Sequence, residues 1–76
     1  MTMKIDMPRR NDARWDDAVW RTEKLRKIKH DSGLNLRELA ELAGIPYHSI
    51  RHYHSGRWQQ ISTNELRLMI YELTAG

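Results

Sequence analysis

The chain has 76 residues, which is the size of one small domain, and it carries a formal net charge of +3. It contains no cysteine, which excludes a disulfide scaffold, a thiolate zinc site and a cysteine nucleophile. Since no apolar run approaches the roughly 20 residues that span a bilayer, we expect a protein of the cytoplasm with no membrane partner.

Carboxylates are unevenly distributed along the chain. Between residues 42 and 64 there is no Asp or Glu, whereas this segment holds Arg51, Arg57 and three histidines. A surface that approaches a polyanion has to exclude carboxylates, because each of them would repel phosphate. Chance depletion over so short a segment explains the same pattern, so charge alone favours nucleic acid only weakly.

The first eleven residues show no periodicity, which predicts a flexible arm over residues 1–11 and a domain over residues 12–76. The arm carries the basic pair Arg9 and Arg10, which could follow a DNA backbone or a minor groove. A solvated tail accounts for the same pair equally well.

Helical periodicity begins after this arm. Apolar side chains recur at three- and four-residue steps from Trp15 to Ile28, and Gly33 follows as a stop signal. The segment 12–31 therefore forms either one long helix or two short ones. We expect Trp15 and Trp20 in the core or on a dimer surface.

Capping signals place further helices downstream. Asn35 with Glu38, and Ser62 with Glu65, have the spacing of the capping box that begins a helix. Gly44 ends the helix that starts after Asn35, and another helix follows it. No segment shows the alternation of a strand, so the predicted fold is all-α, a compact domain of four to five short helices.

The most informative unit is a helix, a tight break and a second helix over residues 36–57. Such a pair needs a small residue where the helices touch, a glycine in the turn and an apolar residue that docks the second helix. The predicted core of the motif consists of Leu39, Ala40, Gly44, Ile50 and Tyr53. The outward face of the second helix then offers hydrogen-bonding groups and no carboxylate.

The spacing of Ala40, Gly44 and Ile50 resembles that of the phage repressor and Cro-like helix-turn-helix proteins, the XRE class. The lead-in before the motif and the Ser-Gly-Arg at residues 55–57 also fit, and the resemblance covers about residues 22–73. It implies a lambda-repressor-like fold. It also implies a transcriptional regulator, in most cases a repressor, that binds a double-stranded DNA operator as a homodimer.

The resemblance assigns roles position by position. It implies that the base contacts in the major groove are Tyr47, His48, Arg51 and His52. It implies that the phosphate contacts are Arg37, Ser49, Arg57 and Gln59. Arg51 could reach either a guanine or a phosphate, and Tyr47 could instead cover the first turn of its own helix.

A single recognition helix contacts too few base pairs to mark one site in a genome, so two copies are expected on two half-sites. The last helix is the predicted pairing surface, through those apolar residues that the core leaves uncovered. The candidates are Trp58, Leu66, Met69, Ile70 and Leu73.

Other functions have less support in the sequence. His48 and His52 have the spacing of one helix face, but no neighbouring carboxylate or thiolate completes a metal site, so we predict neither metal nor cofactor. No nucleophile elbow, phosphate-binding glycine loop or His-Glu metal motif is present, and we predict no enzyme. The main alternative is an antitoxin-type module that neutralises a partner protein through residues 1–20 and autoregulates its own promoter.

Overall fold

The computed structural model describes residues 4–57 and 59–75 and builds them from one 3-10 turn and four α-helices. The turn spans Ala13–Asp16, and the helices are α1 (Ala18–Ser32), α2 (Leu36–Ala43), α3 (Tyr47–Ser55) and α4 (Thr63–Thr74). No strand occurs among these residues, so the prediction of an all-α domain with four to five short helices is confirmed. None of the helices in the described ranges combines the length and the apolar character needed to cross a membrane.

The segment 12–31 divides at Asp17. The backbone of this residue is extended, with φ −90° and ψ 108°, which interrupts the helical run. Its carboxylate accepts hydrogen bonds from the backbone N–H groups of Val19 and Trp20 and thereby caps α1. Two short elements, the 3-10 turn and α1, therefore replace the single long helix that periodicity also allowed.

Both predicted capping boxes are present. The side chain of Asn35 accepts from the backbone N–H of Glu38 at 2.8 Å, and the Glu38 carboxylate accepts from the backbone N–H of Asn35 at 3.1 Å. Ser62 and Glu65 exchange the same pair of hydrogen bonds at the start of α4. Two backbone donors are thus satisfied at each of these helix starts.

The turn between α2 and α3 is closed by carbonyl groups of α2. Gly44 has φ +66°, in the left-handed region that glycine enters without a Cβ penalty. The backbone N–H of Ile45 donates to the carbonyl of Ala40 at 2.9 Å, and that of Gly44 donates to the carbonyl of Glu41. This pair of bonds is the Schellman arrangement, and the side chains of Ile45 and Ala40 are buried beside it.

The core draws side chains from every helix and from the connections between them. It comprises Trp15, Leu25, Ile28, Leu39, Ala40, Ala43, Ile45, Ile50, Ile61, Leu66, Met69 and Ile70. Leu39, Ala40 and Ile50, which the sequence placed in the motif core, are all buried. Tyr53 is half-buried, and its hydroxyl donates to the carboxylate of Glu65 at 3.1 Å.

The carbonyl oxygen of Trp15 joins three segments of the fold. It accepts a hydrogen bond from the Arg21 guanidinium at 2.6 Å and another from the Thr63 hydroxyl at 2.8 Å. The same guanidinium donates to the carbonyl of Ile61 at 2.7 Å. These bonds fix the 3-10 turn, α1 and the start of α4 to one another.

The predicted pairing surface on α4 was wrong for most of its residues. Leu66, Met69 and Ile70 are fully buried, and Leu73 is half-buried against the core. A domain with only four helices needs the whole apolar stripe of α4 to cover α1 and α2, so nothing of that stripe is left for a partner. Trp58, the remaining candidate, lies outside the described residues.

The prediction of a flexible arm over residues 1–11 is wrong for the segment from Ile5 to Arg9. Ile5 packs against the core and Pro8 is buried. The indole N–H of Trp15 donates to the carbonyl of Arg9 at 2.8 Å and approaches that of Pro8 at 3.3 Å. The segment from Ile5 to Arg9 is therefore attached to the domain, and Trp15 belongs to the core.

Two neighbouring residues of α4 test this division between core and surface. Met69→Glu should unfold most of the protein, because it places a charge in a fully buried position at a cost of several kcal/mol. Leu68→Glu should change the free energy of unfolding by no more than about 0.5 kcal/mol, because Leu68 is 46% exposed. Urea denaturation followed by circular dichroism measures both. Equal stability of the two variants would contradict the core described here.

Candidate nucleic-acid interface

Helix α3 is fixed at both of its ends. The Schellman turn at Gly44 sets its start, and the guanidinium of Arg26 on α1 sets its end. Arg26 donates to the backbone carbonyls of His54 at 2.9 Å and Ser55 at 3.1 Å, which have no partner within the helix. Between these ends Ile50 is fully buried, so the orientation of α3 in the domain is determined.

The four predicted base contacts lie together on the exposed side of α3. Tyr47, His48, Arg51 and His52 are all exposed. A shallow concavity on this side is lined by His48, Arg51, His52, Ser55 and Arg57. No carboxylate is among its described lining residues, so this face presents cationic and neutral polar side chains without a negative charge.

The aromatic ring of Tyr47 connects this face to α2. The guanidinium carbon of Arg37, in the first turn of α2, lies 4.3 Å from the ring centroid, and that of Arg51 lies 5.8 Å from it. Both distances are within the range of a cation–π contact. Arg37 is thereby held beside α3 although it belongs to another helix. The contact of Arg37 joins two helices and has no signal in the sequence, whereas the four-residue spacing of Tyr47 and Arg51 is compatible with their contact on one face of α3.

The predicted phosphate contacts differ in how accessible they are. Arg37, Arg57 and Gln59 are exposed, whereas Ser49 is half-buried. The Ser55 hydroxyl accepts from the backbone N–H of Arg57 at 3.3 Å and donates to the carbonyl of His52. Arg57 therefore leaves the end of α3 in a defined direction, at the rim of the concavity.

The start of α3 has no side-chain cap. Pro46 precedes the helix, and its carbonyl accepts from the backbone N–H groups of Ser49 and Ile50. By contrast, a side chain caps the 3-10 turn, α1, α2 and α4. A helix start without a cap keeps backbone donors for another acceptor, such as an anion.

The remaining predicted residues lie elsewhere. Arg9 and Arg10 are exposed, and no described contact joins either of them to α3. In the described ranges, no group of three or more metal-ligating side chains is clustered, so His48 and His52 have no third ligand there.

His54 lies on the inner side of α3, half-buried next to α1. Burial lowers the pKa of this imidazole, and the positive charges of Lys29 and Arg26 lower it further. His54 therefore packs between α3 and α1 and does not belong to the exposed face of α3.

Comparisons with protein-family models, with curated proteins and with solved structures gave no significant match.

The lowered pKa of His54 predicts a pH dependence of stability. In the unfolded chain His54 takes up a proton near its ordinary value of 6.5, whereas the folded chain takes it up only at lower pH. The stabilisation is complete above about pH 6.5 and is lost as the pH falls through the folded pKa. Urea denaturation between about pH 7 and pH 5 should show this decline, and His54→Gln should flatten it. Identical pH profiles for the two proteins would contradict the assignment.

Proposed function

We propose that this chain is a sequence-specific DNA-binding regulator, acting as a repressor, which places α3 in the major groove of double-stranded DNA. The observation that carries the proposal is the exposed, carboxylate-free face of α3. An α-helix fits the major groove, and the side chains on its outward face then meet the base edges. Tyr47, His48, Arg51 and His52 supply that contact set.

Cationic side chains on both sides of this face support the proposal. Arg37 is held at one side by the ring of Tyr47, and Arg57 stands at the other side, beyond the end of α3. The start of α3 adds backbone donors that no side chain occupies. Cations and backbone donors that flank a recognition helix fix its register on the duplex, while the helix itself carries the sequence information.

The resemblance to phage repressor and Cro-like proteins supports the same function through an independent line of reasoning. That resemblance rests on the spacing of Ala40, Gly44 and Ile50 in the sequence. A regulator of this class would act in the cytoplasm of a bacterial host, on an operator with two half-sites about 34 Å apart.

We propose a homodimer as the binding species, since one recognition helix contacts only a few base pairs. With Leu66, Met69 and Ile70 in the core, the apolar side chains that α4 turns outward are Leu68 and Tyr71. Tyr71 is 62% exposed, and Arg67 and Glu72 lie next to these two residues in the sequence with opposite charges. We assign the pairing surface to this outward face in place of the buried one.

The alternative of an antitoxin-type module has less support from the fold. Its contact segment was residues 1–20, and Trp15, the first tryptophan of that segment, is 2% exposed. Trp20 is half-buried, with its ring in edge-to-face contact with Trp15 at 5.2 Å. The aromatic surface that would bind a partner protein is thus largely used within the domain.

Arg57 and the residues of α3 should differ in their effect on DNA binding. Arg57→Ala should weaken binding to all duplexes alike and reduce the slope of log K against log salt by about one. Arg51→Ala or His52→Ala should reduce affinity for a selected duplex by about 1–3 kcal/mol and relax the preference at one or two base pairs. Fluorescence anisotropy at several salt concentrations measures both effects.

Lys27→Ala is the matched control, because it removes one positive charge from α1 beside the N-terminal segment. It should leave the affinity and the salt slope unchanged. If Arg57→Ala, Arg51→Ala and His52→Ala all behaved like this control, the proposed interface would be wrong.

The dimer predicts a second, separate effect of Leu68→Glu. Because Leu68 is exposed, the variant should stay folded but lose self-association, and its DNA-binding curve should become shallower. Sedimentation of the free protein and of its complex with a two-half-site duplex measures this directly. A wild-type protein that remains monomeric in both samples would rule the pairing surface out.

A further inference from the structure

Resting on the proposed function, we infer that α3 reads a guanine in each half-site and that Arg51 is the residue that does so. The inference concerns which base the interface selects. It follows from the chemical capacity of the side chains on the exposed face of α3 and from the place of Arg51 among them.

The exposed face of α3 has an unusual inventory of hydrogen-bonding groups. Arg51 offers five N–H donors in a planar fork, and each neutral histidine offers one donor and one acceptor. From Tyr47 to Arg57 there is no Asn, Gln, Asp or Glu. Within α3 itself, Arg51 is therefore the one side chain with two parallel donors, since Arg57 lies beyond the helix end at Ser55. No side chain of α3 combines a donor and an acceptor in an amide.

Base edges in the major groove select among these groups. Guanine presents two acceptors, O6 and N7, which match the two donors of an arginine fork. Adenine presents one acceptor and one donor, which an Asn or Gln amide matches, and cytosine presents a donor that calls for a carboxylate. Only the guanine edge finds a bidentate partner on α3.

The position of Arg51 directs it towards a base edge instead of a phosphate. Since an α-helix turns by about 100° per residue, Arg51 projects between Tyr47 on one flank and His52 on the other. The flanks of a recognition helix face the two phosphate backbones, and its middle faces the floor of the groove. Arg51 and His48 stand in that middle, and of these two only Arg51 has a fork of donors.

The donors of Arg51 are available for a ligand. Within the described part of the chain, its guanidinium makes no hydrogen bond and no ion pair, and it lies 5.8 Å from the centroid of the Tyr47 ring. A cation–π contact involves the charge of the guanidinium and the face of the aromatic ring, and it does not occupy the N–H groups. These N–H groups therefore stay available as hydrogen-bond donors. By comparison, the guanidinium groups of Arg21 and Arg26 are occupied by backbone carbonyls.

The histidines reinforce the choice of guanine without determining it. His48 or His52 can donate a single N–H to N7 or O6, or accept a single proton from another base. The two nitrogens of an imidazole point in different directions, so one ring cannot make both contacts with an adenine edge. The nearest amides, Gln59 and Gln60, lie beyond the end of α3.

The test begins with selection of duplexes from a random library by the full-length wild-type protein. We expect a guanine at a fixed position of each half-site. Replacing that guanine by 7-deazaguanine removes N7 and leaves Watson–Crick pairing intact, and it should weaken binding about 10-fold or more. The same replacement at a guanine outside the half-sites serves as the control and should have no effect.

Variants at one position then assign the contact. Arg51→Lys should keep the preference for guanine, while Arg51→Gln should move it towards adenine at that base pair, because an amide matches the adenine edge. Gln59→Ala should leave the base preference unchanged. Circular dichroism and urea denaturation establish that each variant is folded before its binding is compared.

The outcomes separate this inference from the proposed function. Binding that is sequence-specific but insensitive to 7-deazaguanine in the half-sites would overturn the guanine assignment and leave the DNA-binding function standing. Arg51→Gln that weakens all duplexes equally would make Arg51 a phosphate contact and would also overturn it. If no duplex binds with sequence preference, the proposed function itself fails.

Discussion

The burial of Ile50 is the contact on which α3, and with it the candidate interface, depends. Ile50 is the one described residue of α3 that is buried. The helix has only nine residues, and its histidines, tyrosines and serines have modest helix propensity, so it would not persist alone. It forms because Ile50 docks into the core and because α1 and α2 satisfy its ends. A helix held in this way keeps most of its surface for contact with a ligand.

Four of the ten carboxylates of the chain lie at the starts of elements other than α3. Asp12, Asp17, Glu38 and Glu65 accept backbone N–H groups at the starts of the 3-10 turn, α1, α2 and α4. These four negative charges are therefore held at the starts of the other elements, where they accept backbone N–H groups. Because Pro46 begins α3 instead of an acidic or hydroxyl cap, the start of this helix adds no negative charge to the face. The segment from residue 42 to residue 64, which has no carboxylate in the sequence, thus contains the one described helix that no side chain caps.

The features that the sequence predicts well are those determined over three or four residues. Asn35 with Glu38, and Gly44 with its positive φ, are local arrangements, and the structure has them where the spacing indicates. How much of the apolar stripe of α4 the core covers depends instead on how α1 and α2 pack, and so the full burial of Met69 could not be derived. The contact of Arg37 with Tyr47 likewise joins two helices, so periodicity within either one does not reveal it. The role of the α3 residues in binding rests on chemistry and resemblance, and it stays a prediction.

The attachment of the N-terminal segment has a consequence for conformational entropy. A basic residue in a freely moving tail loses backbone freedom when it binds, which is worth about 1–2 kcal/mol for each residue that becomes fixed. The backbone of Arg9 loses this freedom when the protein folds. Its carbonyl accepts the indole N–H of Trp15 and also the backbone N–H of Asp12 at 2.9 Å. Only the side chain of Arg9 remains to be ordered by a ligand. Any anion that reaches this corner of the domain therefore meets a cationic side chain on a backbone that is already fixed, and not on a freely moving tail.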